Sequence, residues 1–288
     1  MNNKLELDKS VLIVAHPDDE ILWFSSILND VKKIIFIFKG TENKTVEKGR
    51  NKILDTKALP YANKIINLNI AESNILDFAN WKMPKQTFYG IQTKSQKYIE
   101  NFYFIKNKLE NQLSEFEHVI THNPWGEYGH EDHVQVFRAV TSLMQDLNYS
   151  VWVSKYFSEK TIPLIHQTQN YIDHVSIDKF VDKNFCNQVS SIYKSCNAWT
   201  WADYYHWPKK EGFSRIKKNI SLLESKKIKT PLVCSEMNFI IMFDRQFTHL
   251  SKFRSQLILS CQKIFPKFVF NLIINIYKNF KKKNDKFL

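Results

Sequence analysis

The chain has 288 residues, and its 43% apolar content is enough for the core of one large α/β domain or of one domain with an appendage. Its six glycines include no G-x-G-x-x-G and no G-x-x-x-x-G-K-[ST], which excludes glycine-cradled dinucleotide and P-loop chemistry, and its four cysteines form no C-x-x-C, which excludes a zinc ribbon. The net charge of +12 is uneven: residues 1–208 hold 23 Lys and Arg against 24 Asp and Glu, residues 209–288 hold 18 against 5, and the neutral body argues against a nucleic-acid partner.

The chain opens with alternating charges and a five-residue apolar run, VLIVA, too short for a signal-peptide core. No run reaches the ~18–20 apolar residues of a bilayer span. Together with unpaired cysteines this implies a cytoplasmic location. Short runs rich in Val, Ile and Phe then alternate with helix-like stretches, the pattern of a mostly parallel sheet covered by helices. The expected strands are Val11–His16, Lys33–Phe38, Ile65–Ile70, His118–His122 and Val151–Phe157. The expected helices are Asp19–Asn29, Thr45–Leu59, Ser95–Ser114, Asp132–Leu147 and Asp178–Tyr193. The connection from Ala71 to Lys94 is long for a compact domain and reads as an active-site loop. An aromatic block, Trp199–Trp207, follows, then a basic stretch, Lys209–Lys229, and a short strand, Met237–Phe243.

Two polar clusters stand just past strand ends, the usual functional edge of an open α/β sheet. The first is His16-Pro17-Asp18-Asp19-Glu20. With a helix opened by Pro17, His16 and Asp19 lie one turn apart and converge on one metal, while Asp18 projects elsewhere. The second runs from Thr121 to His133, and its His130 and His133 share a helical face, so either supplies a third ligand. Two histidines and a carboxylate suit catalytic zinc, and also non-haem Fe2+. His122 ends the fourth strand and is expected to line the pocket.

The paired sequences AHPDDE (Ala15–Glu20) and GHEDHxxV (Gly129–Val136) resemble the PIG-L/LmbE-like superfamily of metal-dependent N-acetylglucosaminyl deacetylases. The resemblance implies a Rossmann-like three-layer fold over residues 1–250 and removal of an N-acetyl group from a glucosamine-containing glycoconjugate. It implies that His16, Asp19 and His133 hold Zn2+, that Asp18 is the general base, that His130 stabilises the oxyanion or protonates the leaving amine, and that Asp132 orients a neighbouring histidine. Arg50, His122, Asn123 and Tyr128 are the corresponding candidates for substrate contact. Two departures stand out. Glu131 takes the place of the usual Pro, which sets a carboxylate beside the catalytic histidine and alters its titration, and Ile53 replaces the Glu of an Arg-x-x-Glu helix that would begin at Arg50.

The aromatic block fits either a lid that stacks on sugar rings or a core closure at the sheet edge. Residues 251–288 read as an amphipathic basic helix, with Lys263, Lys267, Asn271, Asn275, Asn279 and Lys282 on one stripe. Such a helix suits an anionic membrane surface at the inner face, or packing on the body or a second subunit. The same site serves an amidase of a non-sugar or thiol-conjugate amide, and an inert site would suit a membrane-bound subunit of a glycan-assembly complex.

Overall fold

A computed structural model describes residues 4–203, 205–218 and 237–240. The terminal helix expected over 251–288 and the later part of the strand Met237–Phe243 lie outside the described residues. The strands are β1 (Ser10–Val14), β2 (Lys33–Gly40), β3 (Ile65–Ala71), β4 (Gln86–Thr87), β5 (Gly90–Ile91), β6 (His118–Thr121), β7 (Ser150–Ser154), β8 (Tyr156–Ser158), β9 (Ile172–Phe180), β10 (Lys210–Ile216) and β11 (Asn238–Ile240). The helices are α1 (Asp19–Trp23), α2 (Lys44–Asp55), α3 (Gln96–Leu113), α4 (Glu131–Leu143), α5 (Ile162–Thr168) and α6 (Lys183–Ser195).

Seven strands form one sheet in the order β3-β2-β1-β6-β7-β10-β9. The first five are parallel; β10 runs antiparallel to both β7 and β9. Every residue of β1 is buried, as a central strand covered on both faces requires. Val11, Ile13, Ile35, Val119 and Val151 face α3 and α4, where Phe102, Ile105, Leu109, Val136 and Val140 close one core. On the other side, α1 and α2 meet α6 and touch β1 and β2, so the architecture is the expected three-layer, mostly parallel α/β fold.

Several elements differ from expectation for physical reasons. Pro17 stands outside α1, because Asp18 adopts a left-handed backbone (φ 103°) and the helix opens at Asp19. The helix ends at Trp23 rather than Asn29, since Glu211 of β10 takes Ser25 Oγ and Ser26 N as donors and breaks the helical ladder. Residue Asp178 lies in β9, and α6 begins only at Lys183, where the Asp182 carboxylate accepts from the amides of Asn184 and Phe185. The basic stretch from Lys209 supplies β10, a sheet strand. The fifth strand is broken at Lys155: β7 stays in the main sheet while β8 pairs with β11.

Candidate metal centre

β1 and β6 are parallel neighbours, so the residues after them emerge at the same edge of the sheet. From β1 comes His16, whose backbone N–H donates to Asp19 Oδ2 at 2.7 Å; Asp19 N–H returns a bond to His16 O at 3.2 Å. The strained Asp18 backbone between them is held by its own N–H to Glu20 Oε2 (2.9 Å) and by Leu22 N–H to its carbonyl. Glu20 is fully buried and accepts from the hydroxyls of Tyr61 and Tyr193, both at 2.7 Å; burial pushes its carboxyl up to about 7.

From β6 comes a compact turn, Asn123–His130. Gly126 and Gly129 have φ of 70° and 89°, and a Cβ on Gly126 would strike the His130 carbonyl. The turn ends at His130, which caps α4 by accepting the Asp132 amide on Nδ1 (3.1 Å). That bond leaves the His130 proton on Nε2 in the neutral ring. His133 follows one turn later, with its ring stacked on that of His130 at 4.7 Å.

A chain of donors fixes the tautomers. Ala15 N–H donates to His122 Nε2 (2.8 Å), so His122 carries its proton on Nδ1 and gives it to Glu127 Oε2 (2.9 Å). The same Glu127 oxygen receives His133 Nδ1 at 2.8 Å. His133 Nε2 is then a bare lone pair, fully buried, without a hydrogen-bond donor, 3.2 Å from Asp19 Oδ2. His16 Nδ1 stands 3.1 Å from the same oxygen. Acceptor groups gathered this closely in a buried site require a proton or a metal cation among them.

The two distances also match the ~3.3 Å ligand–ligand edge implied by tetrahedral bonds of ~2.0–2.1 Å. Each histidine is backed by a carboxylate: Glu127 behind His133, and Asp132 Oδ2 at 3.4 Å behind His16 Nε2. Metal-binding imidazoles are oriented in this way, so the donor set fits a divalent cation. Without metal, protons fill the role. Burial pulls the His16 imidazole down, but Asp132 and Asp19 outweigh it and lift it to about 10. His133 is likewise lowered by burial and raised, chiefly by Asp19, to about 9. His130 offers another nitrogen in the same group as His16 and His133.

Asp18 sits beside this set. Its Oδ2 accepts from Thr200 N (2.9 Å) and Thr200 Oγ1 (2.6 Å), and the carboxyl is pushed up to about 6 by burial and the Asp19 charge, against the pull of Arg50. Arg50 reaches the centre from α2, buried, with Nη1 2.5 Å from Glu72 Oε1. Glu72 in turn lies 3.7 Å from His16 Nε2. Tyr128 sets its ring edgewise to His130, His133 and Trp201 at 5.8, 5.4 and 4.7 Å. The structure thus gathers His16, Asp18, Asp19, Arg50, Tyr128, His130, Asp132 and His133 at one place.

His122 and Asn123, expected to contact substrate, are instead spent inside the protein. Both ring nitrogens of His122 are bonded, and its ring stacks behind His133 at 3.8 Å. The Asn123 amide donates to Ser154 O and Oγ and to Tyr156 O, while its carbonyl accepts from the amides of Trp125 and Glu127. Glu131 also departs from expectation. Rather than acting on His130, its carboxylate accepts from Asp77 N, Ala79 N and Trp81 Nε1, and so fastens the Ala71–Lys94 connection beside the centre. The aromatic block packs on α1, with Trp207 Nε1 donating to Ile21 O and Tyr205 OH to Leu22 O, as the core-closure reading expects.

Nothing in the sequence pattern singles out Glu127 or Thr200. Glu127 is a lone carboxylate between two glycines, yet it is buried and joins both histidines, Ser154 and the Asn123 amide. Glu127→Gln cannot accept from both imidazole N–H groups and Ser154 as an anion does, so metal affinity should fall about 10–100-fold. Isothermal titration of chelator-stripped protein measures this; unchanged affinity would remove Glu127 from the centre's support.

The family model described as GlcNAc-PI de-N-acetylase (PIG-L) matches residues 11–144. An uncharacterized protein, L374, of Acanthamoeba polyphaga mimivirus is 28% identical over 192 residues, covering 64% of this chain and 78% of that protein. Among solved structures, the zinc-inhibited form of teicoplanin deacetylase Orf2 aligns with 13% identity and a TM-score of 0.48, over 74% of this chain and 99% of that one. The A40926 pseudoaglycone deacetylase Dbv21 aligns with 12% identity and a TM-score of 0.48, over 75% and 100%. Residues 11–144, which run from β1 through α4 and carry both polar clusters, are thus the part of the chain that matches the PIG-L family model.

Proposed function

We propose that this chain is a metal-dependent de-N-acetylase acting on an N-acetylated amino sugar in a glycoconjugate. The observation that carries the proposal is the buried meeting of His16 Nδ1, His133 Nε2 and Asp19 Oδ2, with Asp18 alongside, within the residues that match the PIG-L family model. His16, Asp19 and His133 would hold the cation; Zn2+ suits the mixed nitrogen and oxygen set, as does Fe2+. When bound, it supplies Lewis acidity for the acetamide carbonyl and lowers the pKa of water.

The chain's own residues do the rest. Asp18, with Oδ2 fixed by Thr200, takes a proton from the attacking water at Oδ1. The water oxygen bonds to the carbonyl carbon, the C–N bond breaks, and the proton passes to the departing nitrogen, giving acetate and a free amine. His130, its proton on Nε2, donates to the carbonyl oxygen as charge develops there or protonates the leaving amine. Arg50 keeps Asp18 anionic through its charge. Tyr128 and Trp201 form an aromatic wall suited to a sugar ring.

The substrate class is tested by incubating zinc-loaded protein with N-acetylhexosamine glycosides and with non-sugar acetamides, and measuring acetate. Release from the sugar derivatives alone supports the proposal. Release only from non-sugar or thiol-conjugate amides makes the chain an amidase of another class, and release from none, with zinc bound, makes it a non-catalytic subunit.

We further propose that the basic carboxyl-terminal segment holds the enzyme at an anionic membrane surface. An amphipathic basic segment of this kind attaches peripherally, with its apolar face in the interface and its lysines toward the headgroups. Removing residues 263–288 should reduce sedimentation with anionic liposomes while hydrolysis of a small soluble substrate continues. Unchanged sedimentation would show that the segment is not the anchor.

A further inference from the structure

The other end of the same two central strands carries a second set of metal-ligating side chains. Glu6 precedes β1, while Glu117 and His118 lie where β6 begins, and the register that pairs Ser10 with His118 brings them to one edge. One ring nitrogen of His118 and one carboxylate oxygen from each of Glu6 and Glu117 lie within 4.8 Å of one another. His118 is only 4% exposed, and neither Nδ1 nor Nε2 has a hydrogen-bond partner among the described residues. A buried imidazole with both nitrogens unpartnered is rare in folded proteins and calls for a ligand.

The position already draws positive charge. Lys9 Nζ lies 3.0 Å from Glu6 Oε2 and 3.2 Å from Glu117 Oε1, on a side chain that is half exposed. The ammonium serves the two carboxylates and leaves the imidazole unsatisfied. A compact divalent cation bonded to all three groups would satisfy them together, and the flexible lysine can withdraw to water.

We propose that Glu6, Glu117 and His118 form a second cation site, specific for a divalent transition metal such as Zn2+, with Lys9 as the competing charge. One nitrogen and two oxygens suit Zn2+, Co2+ or Ni2+ better than Mg2+ or Ca2+, which favour all-oxygen sites. The site is separate from the catalytic centre: His118 and His122 are four residues apart on an extended strand, or about 13 Å. It clips the segment before β1 to β6, and does not depend on the proposed reaction.

The test uses full-length protein stripped with a chelator and titrated with Co2+. The wild type should bind two equivalents, and Glu117→Gln, altering an exposed side chain, should bind one tightly and weaken the other at least tenfold. His118→Ala should do the same. Lys9→Ala should tighten the second equivalent several-fold. In a His133→Ala background, which removes the catalytic centre, the remaining equivalent should show the same responses. No bound equivalent in the His133→Ala background, or affinities that ignore both Glu117→Gln and Lys9→Ala, would overturn the proposal.

Discussion

Asp18→Asn should keep its metal and lose turnover by about 10²–10⁴-fold, the range that a positioned general base contributes. The substitution is nearly isosteric, and the side-chain oxygen of Asn can still accept from Thr200 N and Oγ1, so the segment from Trp199 keeps its contact with the centre. His16, Asp19 and His133 are untouched. What disappears is a carboxylate able to take a proton, replaced by an amide that cannot. In the metal-free protein burial and Asp19 push the Asp18 carboxyl up to about 6, so at neutral pH it is ionised and ready to accept. Metal analysis together with acetate release checks the result; a near-normal rate in Asp18→Asn would remove Asp18 from the role of base.

His133→Ala should lose metal and activity together, and stability with them. The imidazole donates to Glu127, faces Asp19 and stacks on both His122 and His130. Its removal leaves two buried carboxylates short of a partner, a loss that typically costs about 3–5 kcal/mol. Urea denaturation of the metal-free variant beside the metal-free wild type reads this cost. Full metal content in the variant would shift the ligand set away from His133.

The contrast between Asp18 and His133 also shows why this site was so readable in the sequence. Both belong to short polar clusters that begin where a buried strand stops, and parallel neighbours deliver such clusters to one edge. Glu127 lies within the second cluster, but nothing in its spacing distinguishes a buried carboxylate shared by two imidazoles from a loop carboxylate in water. Thr200 comes to Asp18 from 182 residues away, a pairing that only the tertiary fold creates. His122 and Asn123 have residue types suited to substrate contact, yet hydrogen bonds to Ala15, Ser154 and Tyr156 consume them.

The parallel half of the sheet was legible because its strands are continuous apolar runs. The antiparallel half was not. β9 reads IDHVSIDKF, an alternation of period two whose end overlaps the helix expected from Asp178, and β10 lies in a stretch whose plainest sequence feature is its charge. The early end of α1 has a long-range cause as well, since Glu211 on β10 captures Ser25 and Ser26. Local propensity could not report this last feature, because it is settled by a residue distant in the chain.

The most direct measurement is the paired release of acetate and free amine from an N-acetylated amino sugar glycoside, before and after chelation. The zinc-loaded protein should release the two products in equal amounts, lose this activity when stripped, and regain it when zinc is restored. Absence of either product while zinc is demonstrably bound, or undiminished release after the metal has been removed, would contradict the account.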